Sequence, residues 1–82
     1  MEIMTKIMNI ENGKATISKY EVMKAFFLTE EEDDVDMANE LNKMINIFYE
    51  QEQRTRRNVT ELSFDIGSNQ NVINYIKKAS IG

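Results

Sequence analysis

In the absence of histidine and cysteine, the two groups of side chains in this sequence whose pattern could indicate chemistry are a run of carboxylates and a group of arginines. The acids concentrate in residues 30–36, a run that only Val35 interrupts. Acid–base catalysis near neutral pH usually relies on groups that titrate there, above all histidine. The acidic run also lacks the central glycine and the alternating ligand order of a calcium loop. These residues therefore predict no catalytic site, no metal site and no cofactor, and we expect the protein not to be an enzyme.

The basic side chains do not predict a nucleic-acid site. Arg54, Arg56 and Arg57 could contact phosphates, but neighbouring acids and the negative end of a helix dipole account for their position. The net charge of −4 disfavours nucleic acids and anionic membranes as partners. No apolar run is long enough to span a bilayer, and the opening residues lack the apolar region of a signal peptide. We therefore expect a cytoplasmic protein without membrane insertion.

A long helix over residues 29–57 is expected to position the acidic run. Thr29 and Glu32 match a capping box, in which a hydroxyl and a carboxylate satisfy free backbone amides. Asn58 is expected to end the helix in the left-handed conformation. Ile47 falls on the polar side, either as a stray exposed residue or as a contact for a partner. The apolar stripe of this helix is Met37, Ala38, Leu41, Met44, Ile45, Phe48 and Tyr49.

The start of the chain, residues 3–18, matches a β-hairpin. Asn12-Gly13 is the strongest short signal for its turn, because both central positions need a positive φ. A short helix over residues 2–10, with Asn12-Gly13 as its C-cap, is the alternative. In the hairpin register one face is apolar and carries Met8, Ile10, Ala15 and Ile17.

Three further elements complete the predicted fold. Ser18 and Glu21 form a second capping box, which opens a helix over residues 19–28. Strict alternation over residues 60–66 predicts a half-buried strand, and Ser68 or Asn69 then begins a helix that extends to position 79. The sequence thus predicts one α+β domain over residues 1–82, mainly helical, with an all-α fold as the alternative. The apolar faces of the two helices carry Val22, Met23, Phe26 and Phe27, and Val72, Ile73, Ile76 and Ala79, respectively.

The small size of the chain points to association with other proteins. A domain of 82 residues without disulfides often gains burial by forming oligomers, so we expect a homo-oligomer. The adjacent apolar residues at positions 26–28 cannot all face inward from one helix. They lie either in a crevice between the sheet and the long helix or in an interface. The residues predicted to bind a partner, with acids that attract a basic segment, are Phe26, Phe27, Glu30, Glu31, Asp34 and Ile47.

As a whole, the chain resembles the rapid-lysis III antiholins of T-even phages. The resemblance rests on the length, the opening Met-Glu-Ile-Met-Thr-Lys-Ile-Met-Asn-Ile-Glu-Asn-Gly, the acidic-to-basic central segment and the Asn/Ile/Lys-rich composition. It implies a non-catalytic regulator in the cytoplasm of the infected cell, which binds the soluble N-terminal segment of the phage holin and delays lysis. No diagnostic motif is involved, so no site residue is carried over.

Two other hypotheses come from different classes of protein. A small acidic phage or plasmid protein could inhibit a host enzyme, with its acidic helix imitating the phosphates of nucleic acid. A small DNA-binding regulator is the third hypothesis, which the acidic net charge of −4 weakens.

Overall fold

A computed structural model of the chain describes residues 9–81, which form a three-stranded antiparallel sheet and three helices. This architecture confirms the predicted α+β, mainly helical fold and excludes the all-α alternative. The elements in chain order are β1 (Asn9–Glu11), β2 (Lys14–Ser18), α1 (Lys19–Glu32), α2 (Val35–Thr55), β3 (Glu61–Asp65) and α3 (Gln70–Ile81).

The sheet has the order β1-β2-β3 and begins with the predicted hairpin. Asn12 and Gly13 both have positive φ at the turn, and Ile10 pairs with Ala15 as expected. The expected pairing of Met8 with Ile17, and most of the alternative helix, lie outside the described residues. One face of β2 and β3 enters the core through Ala15, Ile17 and Phe64, whereas Thr16 and Ser63 share a hydroxyl hydrogen bond on the other face.

Helix α1 is central to the fold, because it contacts α2, α3 and β2. The Oγ atom of Ser18 accepts a hydrogen bond from the Glu21 amide, which confirms the predicted N-cap. The Glu21 carboxylate does not complete a capping box but accepts a hydrogen bond from the Ser80 hydroxyl of α3. The inward side of α1 consists of Val22, Ala25 and Thr29.

The predicted long helix over residues 29–57 is wrong, because the chain turns between Glu32 and Val35. Thr29 is no cap: its side chain is buried in α1 and its hydroxyl donates to the Phe26 carbonyl. Asp33 ends α1 in the left-handed conformation, at φ 59°. Asp34 then caps α2 by accepting from the Met37 amide at 3.1 Å. Tertiary burial of Thr29 thus outweighs the local capping pattern.

The far end of α2 also differs by two residues from the prediction. Arg56, not Asn58, adopts the left-handed conformation that ends the helix, with φ 57°. Within α2, Leu41, Met44 and Phe48 are buried as predicted. Tyr49 was expected in the same stripe but is exposed over 60% of its surface.

The core lies between the sheet and the three helices. The rings of Phe48 and Phe64 pack with their centroids 6.1 Å apart, which joins α2 to β3. Helix α3 follows Asn69 and buries the four residues predicted for it, together with Tyr75. No buried side-chain nitrogen or oxygen within residues 9–81 lacks a hydrogen-bond partner.

Candidate interaction surface

The side of α1 that faces away from the core carries a second apolar row. Tyr20, Met23 and Phe27 follow one another at the i, i+3, i+7 spacing of a single helix face. Tyr20 and Phe27 are exposed over 69% and 60% of their surfaces. Exposed aromatic residues in one contiguous group usually mark a binding surface. We call this group the α1 outer surface; it consists of Tyr20, Met23, Lys24, Phe27 and Glu31, with Tyr49 of α2 beside them.

Phe27 lies at the meeting point of three shallow depressions in this surface. The largest, of about 670 Å³, extends along α1 past Met23 and Tyr20 to Thr60. The second, of about 350 Å³, lies between α1 and α2 and is lined by Phe27 and Tyr49. The third, of about 390 Å³, is lined by Phe27, Leu28, the acids at the end of α1 and residues of α3. A partner side chain placed over Phe27 would therefore meet apolar walls on several sides.

An ion pair stabilises the rim of two of these depressions, the one along α1 and the one between α1 and α2. The Lys19 Nζ atom lies 2.5 Å from Glu52 Oε2, which joins the start of α1 to the end of α2. The Val59 amide donates to the same oxygen at 3.2 Å, so the loop after α2 is held as well. The hydrogen bond from Lys19, followed by that from Val59, lowers the pKa of Glu52. Lys19 is thus occupied within the chain and is not a free cation for a ligand.

The acids at the end of α1 stand where a helix disfavours negative charge. Glu30 and Glu31 lie in the last turn, at the negative end of the helix dipole, and no basic residue lies in that turn. Glu32 is compensated, because Lys78 lies 3.4 Å away and the Tyr75 hydroxyl donates to it at 2.8 Å. Among the described residues, Glu30 and Glu31 have no such ion pair. A cation from another molecule would therefore be favoured at this end of the α1 outer surface.

The structure brings together only some of the residues predicted to bind a partner. Phe27, Glu30 and Glu31 are exposed on α1, as that prediction requires. Phe26 is half-buried and forms the floor between α1 and α2. Asp34 is occupied as the cap of α2. Ile47 is 40% exposed but is absent from all three depressions, because it lies on the flank of α2 opposite Tyr49.

Four residues of this surface, Tyr20, Met23, Lys24 and Tyr49, are not among the predicted binding residues. The sequence predicts no role for Tyr20 or Lys24 and places Met23 on the apolar face of its helix, although Met23 is 38% exposed. The spacing of Tyr20 and Met23 with Phe27 was a detectable signal, since it defines one row distinct from the inward row. Tyr49 had no such signal, because its position in the α2 stripe was compatible with burial.

A fourth depression, at the opposite end of α2, is polar. It has a volume of about 420 Å³ and lies between the start of α2, with Asp34, Asp36 and Glu40, and residues 67–72. Its acids do not converge: the described residues contain no group of three or more acidic side chains that could hold a metal ion. The α1 outer surface is therefore the stronger candidate.

Comparison with known proteins identifies no relative. No protein-family model, no curated protein and no solved structure matches the chain. None of the helices within residues 9–81 is both long and apolar enough to cross a membrane.

Proposed function

We propose that the protein is a non-catalytic regulator that binds a protein partner through the α1 outer surface. The observation that carries this proposal is the exposed row of Tyr20, Met23 and Phe27 next to Glu30 and Glu31, which form no ion pair within residues 9–81. Aromatic residues in the centre of an interface contribute much of its binding energy, whereas charges at the rim steer the approach. The partner that fits this surface is an apolar segment with at least one basic side chain.

The resemblance to the rapid-lysis III antiholins supports a specific partner, the cytosolic N-terminal segment of a phage holin. In this proposal the protein acts in the cytoplasm of the infected cell and delays lysis. A ligand that prefers the unassembled holin shifts the assembly equilibrium by its difference in affinity for the two states. A preference of about 3 kcal/mol would lower the ratio of assembled to unassembled holin by roughly two orders of magnitude.

Phe27→Ala is expected to weaken binding of the purified holin segment by roughly thirtyfold, because it removes the aromatic ring at the centre of the surface. Isothermal titration calorimetry on the full chain measures this change. The matched control is Ile47→Ala, which shortens another exposed apolar side chain outside the α1 outer surface. Equal affinities of Phe27→Ala and wild type, or a larger loss in Ile47→Ala, would contradict the proposed surface. Absence of binding by the folded wild type would refute the holin as partner.

The alternative function is inhibition of a host enzyme by imitation of nucleic acid. The exposed acids at the corner between α1 and α2, Glu30, Glu31, Asp33 and Asp36, favour this alternative. It predicts that the protein competes with DNA or RNA for a host protein, whereas the holin proposal predicts no competition. A displacement assay with labelled DNA on captured host proteins distinguishes the two.

A further inference from the structure

Helix α1 is apolar on two opposite sides, but residues 9–81 cover only one of them. Val22, Ala25 and Thr29 are fully or almost fully buried, whereas Tyr20 and Phe27 on the other side are mostly exposed. A helix with apolar residues all round is typically packed between other elements. The α1 outer surface therefore has the pattern of a helix face that another helix covers.

The charges along this surface are arranged for an antiparallel neighbour. Lys24 lies three residues before Phe27, over the Tyr20 ring at 5.8 Å, and Glu31 lies four residues after Phe27. At 100° per residue, Lys24 and Glu31 fall on the same flank of the apolar row. The cation Lys24 is thus on the N-terminal half of the surface, and the acid Glu31 is on the C-terminal half.

If two copies are related by a twofold axis through Phe27, the basic half of each α1 outer surface lies opposite the acidic half of the other. Twofold symmetry places the same patch of two copies against itself, and an axis perpendicular to a helix makes the two helices antiparallel. With the axis at Phe27, the two Phe27 rings meet at the centre. Lys24 of each copy then faces Glu31 of the other, on the same flank. Each Lys24 also brings a cation to the last turn of the opposing α1, a turn that has no basic residue of its own.

We propose that the chain forms a homodimer in which two copies of α1 pack antiparallel across Phe27, with two symmetric Lys24–Glu31 ion pairs. The size of the chain supports this occupant, since a domain of 82 residues without disulfides gains substantially from burial of a further apolar face. The dimer requires only copies of the chain itself and forms whichever partner the α1 outer surface binds. Because the surface is shared, a second copy and that partner exclude each other.

Charge-reversal variants test the ion pairs. The dimer dissociation constant of the full chain is measured by sedimentation equilibrium over a wide concentration range. Wild type is expected to reach twice the chain mass of 9.6 kDa. Lys24→Glu and Glu31→Lys are each expected to weaken dimerisation by about tenfold, because each places like charges opposite one another twice. The double variant, Lys24→Glu with Glu31→Lys, is expected to restore the wild-type dissociation constant within a few-fold.

The direction of the Glu31→Lys effect separates specific pairing from general repulsion. This substitution reduces the net negative charge of −4, so general repulsion alone would predict tighter association. Lys43→Glu is the matched control, because Lys43 is exposed on α2 and its one ion pair within the described residues is with Glu40 of the same helix. It is expected to leave dimerisation within about twofold of wild type.

Three results would overturn the dimer: wild type that stays monomeric at the highest concentration, a Glu31→Lys variant that associates more tightly, or a double variant that is not restored. Circular dichroism establishes that each variant is folded, and the exposed positions of Lys24 and Glu31 make folding of the variants the expected result. Sedimentation of the chain alone tests the dimer, whereas titration with the holin segment tests the partner, so either proposal can fail while the other stands.

Discussion

Phe48→Ala is expected to lower the free energy of unfolding by about 3–5 kcal/mol, the usual cost of removing a buried aromatic side chain. Phe48 is 1% exposed and packs against Phe64, so the lost ring leaves a cavity between α2 and β3. A domain of this size has a total stability of about 4–12 kcal/mol. The variant is therefore expected to lose between about a quarter and all of the stability of the domain. Urea denaturation followed by circular dichroism measures the difference.

Tyr49→Ala is the control for this prediction, because it removes a larger aromatic side chain from the next position in the sequence. Tyr49 is 60% exposed, so we expect a loss of about 1 kcal/mol or less. Similar losses in the two variants would contradict the placement of Phe48 in the core and Tyr49 on the surface.

Raising the pH from 10 to 12 is expected to destabilise the protein through Tyr75. Burial, together with the hydrogen bond to Glu32, raises the pKa of Tyr75 from 10.0 to about 12. Below pH 10 the hydroxyl is protonated in the folded and the unfolded chain, and its contribution is complete. Between these pKa values only the unfolded chain loses the proton, so unfolding becomes more favourable. The full contribution is at most about 3 kcal/mol.

Tyr75→Phe isolates this contribution, because it keeps the ring and removes the ionising group. The unfolding free energy of wild type is expected to fall more steeply than that of Tyr75→Phe as the pH rises from 10 to 12. Urea denaturation at a series of pH values measures both curves. Parallel curves for the two proteins would show that Tyr75 is not held in its protonated form by the fold.

The order of the elements could be predicted from local signals, because each element has its own pattern. Asn12-Gly13 sets the hairpin turn, Ser18 caps α1, and the alternation of Leu62 and Phe64 marks β3. Each of these signals acts between residues that are close in the sequence, and each predicted feature is present in the structure. They do not depend on how the elements pack against one another.

The break between α1 and α2 could not be decided in the same way, because two local patterns compete there. Thr29 with Glu32 matches a helix start, but Thr29 also continues the inward row of Val22 and Ala25. Burial of that row against the rest of the fold selects the second pattern. The acids of the run consequently divide between the end of α1 and the start of α2. Glu30 and Glu31 lie at the unfavourable end of a helix dipole, where the sequence had suggested a favourable one.

The α1 outer surface could be predicted only in part, because some of its residues are neighbours in the sequence and others are brought together by the packing of the helices. Phe27 and Glu31 of this surface, and Glu30 next to it, could be selected because apolar and acidic residues adjoin there in the sequence. Tyr49 joins them only through the packing of α2 beside α1, which no sequence spacing specifies. Ile47 was selected for its position on the polar side of α2, but that side faces away from α1.

An amide NMR titration with the cytosolic segment of the holin tests the central claim most directly. It is performed on labelled protein at a concentration where sedimentation shows monomers. Saturable shifts concentrated in residues 20–31 and at Tyr49, with little change at Ile47, are the predicted result. Shifts concentrated instead around the polar depression at residues 67–72, or no shifts in the folded protein, would contradict binding of this segment by the α1 outer surface.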